Sequence, residues 1–146
     1  MKKYTLAVFI AVSFFAAGIF MAASANQKHA AGYILEHEAD IAKNEAGPHD
    51  GTGTTTAYSF FSKASNSKLV FRKRILHPGA SIGYHLQKVE EIYYVLSGTG
   101  EMSMNNDVFE VKSGDAILTF PGSSHGLKQK GTEDLIIIIN YTKHND

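Results

Sequence analysis

Five side chains in the second half of the sequence are candidate metal ligands: His85, Gln87, Glu90, Glu91 and His125. Two imidazoles and one carboxylate can form a facial triad, which leaves coordination positions open on iron, manganese or a similar ion. The amide oxygen of Gln87 is a weaker donor for a fourth position. A histidine on a strand is also commonly a satisfied core or surface residue. The residue types alone therefore leave both interpretations open.

The β-strand repeat decides which of these side chains share a face. Residues two apart in a strand point to the same side, so an extended segment would project His85 and Gln87 together. By the same rule Tyr93 shares the face of Glu91, and Glu90 points the other way. The Tyr93 hydroxyl is thus a candidate catalytic acid or hydrogen-bond donor. Ordinary packing inside a barrel is the alternative role for this residue.

Short strand-like segments rich in Val, Ile, Phe, Tyr and Thr occupy most of the chain after residue 54. Turn residues separate these segments, most clearly at 77–79, 97–100, 105–107, 112–115 and 121–122. Many short strands at this spacing predict an all-β sandwich or barrel. A further strand is possible at 33–35, and residues 36–45 are compatible with a short helix or a loop. The predicted strands are 55–61, 69–76, 91–96, 100–104, 108–111, 116–120, 125–129 and 135–141.

The spacing of glycines and ligand-capable residues follows two recurring frames. The first is Gly79-x5-His85-x-Gln87-x3-Glu91-x6-Gly98, and the second is Gly114-x5-Phe120-Pro121-Gly122-x2-His125. These frames resemble the two motifs of the cupin superfamily, and the resemblance extends over residues 69–141. It implies a small, single-domain (type-2) cupin, whose double-stranded β-helix barrel is jelly-roll-like. It also implies one divalent metal ion bound by His85, Glu91 and His125, with Gln87 completing the set.

The sequence departs from the family pattern at three positions. The family usually has His at Gln87, Pro at Phe120 and Asn at Gln129. Replacing an imidazole by an amide should weaken the affinity for late transition metals, which favour nitrogen. The donor set does not distinguish iron, manganese, nickel and zinc. A barrel that has lost its metal is the alternative interpretation of the site.

Two further groups of residues bear on the cavity of such a barrel. Alternation sends Arg72 and Arg74 to one strand face and Lys73 to the other. If the arginine face lines the cavity, a cation there would favour an acidic substrate. A solvated strand face is the alternative. His49 and Asp50 lie in a glycine-rich loop, which either covers the barrel mouth or extends into solvent.

The resemblance leaves the function open between classes. One hypothesis is a metal-dependent enzyme of the isomerase, lyase or dioxygenase type, acting on a small polar molecule. The other main hypothesis is a non-catalytic protein that binds a sugar or an organic acid, and a structural or storage role is a weaker third. The family also implies a homodimer. The apolar segment 135–141 would favour association if it formed an open sheet edge.

Residues 1–25 have the three parts of an export signal. Lys2 and Lys3 precede an apolar run, and Ala23-Ser24-Ala25 supplies a cleavage site. The run is short for a bilayer span, which needs about 20 apolar residues. We therefore expect a periplasmic or secreted protein without a stable membrane anchor after cleavage. Residues 26–54 are predicted as leader and loop, and 55–146 as the barrel domain.

The charge pattern excludes one class of partner. Loss of the two signal-peptide lysines leaves 12 Lys and Arg against 14 Asp and Glu, a net charge of −2. The chain has no basic stripe, so nucleic acid is not an expected partner. It also has no cysteine, which excludes thiolate nucleophiles and thiolate metal sites. The expected partner is a small-molecule ligand or substrate.

Overall fold

The computed structural model describes residues 32–143. The predicted export signal at 1–25 lies outside this range. Within the described range no helix is long and apolar enough to cross a membrane. The elements in chain order are α1 Glu38–Ile41, β1 Ala42–Ala46, β2 Thr54–Phe60, β3 Leu69–Leu76, β4 Ser81–Leu86, β5 Glu91–Ser97, β6 Thr99–Met104, β7 Asp107–Lys112, β8 Ala116–Thr119, β9 Ser124–Lys130 and β10 Leu135–Thr142.

The strands form two antiparallel sheets. The larger sheet has the order β1-β2-β3-β10-β5-β8, and the smaller has the order β4-β9-β6-β7. Apolar side chains from both sheets are buried in a common core, among them Tyr93 and Ile137 from the larger sheet and Met102 and Leu127 from the smaller. The all-β prediction is therefore confirmed. Eight strands lie where the residue pattern placed them, to within two residues at each end.

Strand β5 follows the expected two-residue repeat. Glu91, Tyr93 and Val95 are buried, and the alternate residues Ile92 and Tyr94 are exposed on the outer face of the sheet. The turn from β5 to β6 passes through Gly98, whose φ is +81°. A Cβ at this position would lie 2.2 Å from the Asp134 carbonyl oxygen, so the turn accepts only glycine without distortion.

The region before β2 differs from its prediction. Residues 33–35 form no strand, and residues 36–45 contain the single turn α1 followed by most of β1. Strand β1 pairs with β2 from Ala42 to Ala46 and forms one edge of the larger sheet. Strand β4 was assumed to be extended at His85 but was not among the predicted strands.

The terminal strand β10 is not an edge. It pairs with β3 on one side and with β5 on the other, which places it inside the larger sheet. The argument for association through an exposed edge at 135–141 is therefore wrong. On one face of this apolar strand Leu135, Ile137 and Ile139 point into the core, and on the other face Ile136 and Ile138 are half-buried.

Candidate metal centre

The two histidines of the site come from neighbouring strands. His85 on β4 and His125 on β9 are direct cross-strand partners in the smaller sheet. Their ring centroids are 4.5 Å apart, with the planes inclined at 58°. Cross-strand partners on one face of a sheet have nearby Cβ atoms, so the antiparallel register itself brings the imidazoles together.

The carboxylate comes from the opposite sheet. Glu91 is the first residue of β5 and is only 6% exposed. Its Oε2 atom lies 3.3 Å from Nε2 of His125. One donor atom from each of His85, Glu91 and His125 lies within 4.8 Å of the others. These three residues can therefore contact one common ion.

Hydrogen bonds orient the His85 ring. Its Nδ1 atom lies 2.8 Å from the Gly83 carbonyl oxygen, and a carbonyl can only accept. Nδ1 therefore carries the proton, which leaves the Nε2 lone pair for a metal ion. A hydrogen bond at the ring nitrogen that does not bind the metal usually fixes the tautomer of a metal-binding histidine.

Unpaired polar atoms test whether the residues fit a cation. Glu91 Oε2 is buried and accepts no hydrogen bond from any residue that the structure describes. An unsatisfied buried acceptor costs about 1–3 kcal/mol, and more when it is charged. A divalent ion would satisfy this oxygen and the neighbouring imidazole lone pairs. The donor set therefore fits a metal ion, with two nitrogens and one hard oxygen.

Gln87 lies beside the triad. Its side chain is buried and lines the same cavity as His85 and Glu91. Its backbone N–H donates to the Ser123 carbonyl, and its carbonyl accepts from the Gly122 N–H, both at 2.8 Å. This pair of hydrogen bonds joins the two sequence motifs immediately before His125. The role of the Gln87 amide as a ligand remains a prediction.

Tyr93 is placed next to the metal ligands. Its hydroxyl oxygen is 3.1 Å from Nε2 of His125, and its ring meets the His125 ring edge-on. Burial raises the pKa of Tyr93 well above its usual value, and the negative charge of Glu91 raises it further. The phenol is therefore protonated at neutral pH and can act as a hydrogen-bond donor in the site.

The site opens into a cavity of about 450 Å³ between the sheets. Arg72 and Arg74 face this cavity from β3, whereas Lys73 points outward and pairs with Glu38. The solvated alternative for the two arginines is therefore wrong. The residues around the cavity are Pro48, His49, Arg72, Arg74, Ile82, His85, Leu86, Gln87, Lys88, Val89, Glu91, Tyr93, Ile139 and Tyr141.

The two arginines differ in their partners. Arg74 is buried, forms a 2.9 Å ion pair with Glu45 and donates to the Thr55 hydroxyl at 2.8 Å. Burial alone would raise the pKa of Glu45, but the hydrogen bond and charge of Arg74 outweigh this, and the net pKa is lowered. In the described part of the chain no carboxylate pairs with Arg72, and its Nε is buried without a hydrogen-bond partner. Arg72 is thus a cation available to a ligand.

Comparison with known proteins identifies the barrel. Residues 73–141 match the family model for the cupin domain. A crystal structure from Thermotoga maritima, described as a predicted oxalate decarboxylase, aligns with a TM-score of 0.69 and 28% identity over 76% of this chain and 100% of that chain. The chain has the fold of a small cupin barrel. The prediction of an all-β cupin barrel is therefore confirmed, and both motif frames fall within the matched residues.

Two relatives are similar over part of the chain. An oxalate-binding protein of Thermotoga maritima is 38% identical over 71 residues, 48% of this chain and 59% of that protein. A 5-nitrosalicylic acid 1,2-dioxygenase of a Bradyrhizobium species is 28% identical over 67 residues, 45% of this chain and 32% of that protein. The chain therefore matches less than two thirds of the length of either relative.

One residue of the cupin site was not selected from sequence. His49, in the loop before β2, stacks on His85 with ring centroids 3.6 Å apart and planes inclined by only 4°. Burial lowers the pKa of His49, and the neighbouring His85 lowers it further. The glycine-rich composition of the loop was the sequence feature that could have indicated this position. Of the two alternatives for the loop, the one in which it covers the barrel mouth agrees with the position of His49. Phe120, in contrast, is 58% exposed and does not line the cavity.

Proposed function

We propose that this cupin binds one divalent metal ion through His85, Glu91 and His125, and uses it to bind a small molecule that carries a carboxylate. The observation that carries the metal site is the buried, unpaired Glu91 oxygen beside the His125 imidazole. Gln87 is the candidate fourth ligand. A bound divalent ion would act there as a Lewis acid toward a ligand oxygen.

The charge around the cavity supports an anionic ligand. Three cationic residues line it, Arg72, Arg74 and Lys88, against the single carboxylate of Glu91. Glu45 neutralises Arg74, but a divalent ion would add two positive charges to the cavity that Arg72 also lines. Guanidinium groups bind carboxylates through paired hydrogen bonds. The similarity to an oxalate-binding protein supports the same ligand class.

The size of the cavity supports a small ligand. Ligand-binding cavities commonly measure about 300–1,000 Å³, and a cavity of about 450 Å³ lies near the lower end of that range. Its walls also contain the apolar residues Ile82, Val89 and Ile139. A short organic acid, with an apolar part opposite its carboxylate, matches this lining.

Turnover of the bound molecule is the second candidate function. The Tyr93 hydroxyl lies 3.1 Å from the His125 nitrogen, where a protonated phenol can donate to a reacting oxygen. The partial similarity to a dioxygenase also supports an enzyme. Isomerase, lyase and dioxygenase chemistry are distinguished by products. A panel of organic and phenolic acids, with Tyr93→Phe as the test variant, separates turnover from binding alone.

A metal titration tests the proposed ion. Protein stripped with a chelator and reloaded with Mn²⁺, Fe²⁺, Ni²⁺ or Zn²⁺ is expected to retain about one ion per chain by elemental analysis. Glu91→Gln should abolish this retention. Glu90→Gln is the matched control, because Glu90 is adjacent, equally charged and exposed. Far less than one ion in the reloaded wild-type protein would contradict the proposal.

A calorimetric titration tests the ligand class. Metal-loaded protein is titrated with oxalate and with other short organic acids, and a neutral sugar serves as the comparison. Arg72→Gln should weaken carboxylate binding about tenfold or more, which corresponds to about 1.4 kcal/mol. Lys73→Gln is the matched control, since Lys73 points away from the cavity. Equal loss in both variants would contradict a specific contact from Arg72.

We also propose that the protein works outside the cytoplasm and forms a homodimer. The export pattern at 1–25 supports the first statement. Exposed apolar side chains on the outer face of β5 and β8, including Ile92, Tyr94 and Leu118, support the second. Gel filtration is expected to give a dimer, and Tyr94→Glu is expected to give a monomer. A monomeric wild-type protein at high concentration would contradict the dimer.

A further inference from the structure

The loop at residues 48–51, which we name the His49 loop, is attached directly to strand β4. The Pro48 carbonyl accepts hydrogen bonds from the N–H groups of Gly83 at 2.9 Å and Gly51 at 3.1 Å. Immediately after the loop, the Thr52 carbonyl accepts from the Ser81 N–H at 2.9 Å. The Thr52 N–H donates to the Ser81 hydroxyl at 2.8 Å. The loop is thus held against the strand that carries His85.

Two glycines permit this close approach. A Cβ on Gly83 would lie 1.8 Å from the His49 carbonyl oxygen, and a Cβ on Gly51 would lie 2.1 Å from the Ser81 carbonyl oxygen. Real Cβ atoms do not approach backbone atoms this closely, so any larger residue would displace the loop. The close contact between the loop and β4 therefore depends on glycine at positions 51 and 83.

The loop backbone is held in an uncommon conformation. His49 and Asp50 both have positive φ, +54° and +59°. This region is disfavoured for residues with a side chain, although His, Asp and Asn tolerate it better than most. Such conformations persist where the surroundings determine them, and they cluster at functional sites. Here they direct the His49 ring onto His85.

The stacking geometry excludes His49 as a ligand of the ion that His85 binds. An imidazole binds a metal through a lone pair that lies in its ring plane. The two rings are nearly parallel, at 4°, with centroids 3.6 Å apart, so an ion in the plane of one ring lies outside the plane of the other. His49 instead covers one face of the His85 ring and forms part of the cavity wall.

We propose that His49 is a positioning residue for the metal centre, whose stacked ring holds the His85 imidazole in its metal-binding orientation. The stack restricts the ring on its face, and the Gly83 carbonyl restricts it at Nδ1. Together they direct Nε2 toward Glu91 and His125. This inference rests on the proposed metal site, and it adds a residue from outside the two cupin motifs.

Three variants separate the ring from the backbone. His49→Gly and His49→Asn remove the ring and tolerate positive φ, so the loop can keep its path. His49→Phe keeps a flat aromatic ring and removes the nitrogens. Loss of a contact that orients a metal ligand commonly lowers metal affinity about 10–100-fold. We expect a loss of that size in the first two variants, and an affinity within about threefold of wild type in His49→Phe.

The experiment measures Co²⁺ and Zn²⁺ affinity by competition with a chromogenic chelator, together with the visible spectrum of the Co²⁺ protein. The spectrum should change in His49→Gly and His49→Asn and be retained in His49→Phe. Asp50→Asn is the matched control, because it lies on the same loop, also has positive φ and does not line the cavity. Circular dichroism establishes that each variant folds.

The outcomes distinguish this inference from the proposed function. A wild-type protein that binds no ion refutes the metal site itself. Unchanged affinity and spectrum in the two ring-free variants, with normal wild-type binding, overturn the positioning role alone. An equal loss in His49→Phe would also overturn it, because the stacked ring would not then be the cause. If one ring-free variant fails to fold, the affinity and spectrum of the other still decide the question.

Discussion

Glu91→Gln should change stability in opposite directions in the absence and presence of metal. In the metal-free protein, Glu91 Oε2 is a buried carboxylate oxygen with no hydrogen-bond partner among the described residues, 3.3 Å from His125 Nε2. A neutral amide removes the buried charge at nearly constant volume. An unsatisfied buried group costs about 1–3 kcal/mol, and more when it is charged, so removal of the charge should recover part of this penalty. We therefore expect the metal-free variant to be more stable than wild type by an amount of this order.

The metal-loaded protein should show the reverse. An ion present at 100 times its dissociation constant stabilises the folded state by about 2.7 kcal/mol. Wild type gains this stabilisation and Glu91→Gln does not. Adding metal should therefore remove or reverse the higher stability of the variant. For a domain of about 100 residues, 1 kcal/mol corresponds to about 4–8 °C in melting temperature. Differences of this size are readily measured.

The assay is thermal unfolding followed by circular dichroism, with chelator or with saturating metal. Glu90→Gln is the control and should melt like wild type under both conditions. The decisive alternative is an ion pair between Glu91 and a protonated His125 in place of the metal. That pair would be broken by Glu91→Gln, so the metal-free variant would melt below wild type. Such a result, without any metal-dependent rise in wild type, would refute the reasoning.

Three further predictions concern stability and processing. Glu45→Gln should destabilise the fold by about 1–3 kcal/mol in urea at pH 7, because it leaves the buried Arg74 guanidinium without its carboxylate partner. The pKa of Glu45 in the folded state is lowered below 4.5. Its contribution to the free energy of unfolding is therefore complete above pH 4.5 and is lost as the pH falls through the folded-state pKa. Urea unfolding of the variant at a series of pH values should therefore lack this part of the loss of stability in acid. Gly114 has positive φ and open space around it, so Gly114→Ala should lower the free energy of unfolding by about 1–2 kcal/mol. Gly98→Ala should lower it more, because the added Cβ would also clash with the backbone of residue 134. Equal losses for the two variants in urea unfolding would contradict this. Expression of the full chain in an exporting bacterial host should yield a protein whose N-terminus is Asn26 by mass spectrometry, and an intact N-terminus would contradict cleavage.

The sequence pattern was sufficient where local chemistry determines structure. Alternating apolar residues and turn residues placed eight strands, and the repeat predicted that Glu91 and Tyr93 share the inner face. The motif spacing then brought together His85, Glu91 and His125, although their strands belong to different sheets. In each case the signal is carried by neighbouring residues or by a recurring motif frame.

The remaining features depend on contacts that have no local signal. Strand β1 has the sequence Ala-Lys-Asn-Glu-Ala, which is polar and poor in strand-forming residues, and it is extended because it pairs with β2 at a sheet edge. The position of His49 depends on the backbone of Gly83, 34 residues later. Neither contact follows from periodicity, because both require the folded path of the chain.

The tripeptide Arg72-Lys73-Arg74 links the fold to the proposed ligand. These three positive charges lie in three different environments. Lys73 forms an ion pair with Glu38 on the outer face of β3, and Arg74 forms an ion pair with Glu45 on the inner face. Arg72 faces the cavity and pairs with no carboxylate among the described residues. The Arg72 guanidinium also lies over the Tyr141 ring, 5.8 Å from its centroid, which supports the group while leaving its edge available. A ligand carboxylate can therefore meet a partly buried cation that the fold has already oriented, and it forms stronger, charge-assisted hydrogen bonds with the guanidinium than a neutral oxygen does. This difference in hydrogen-bond strength supports the proposed preference for an anion.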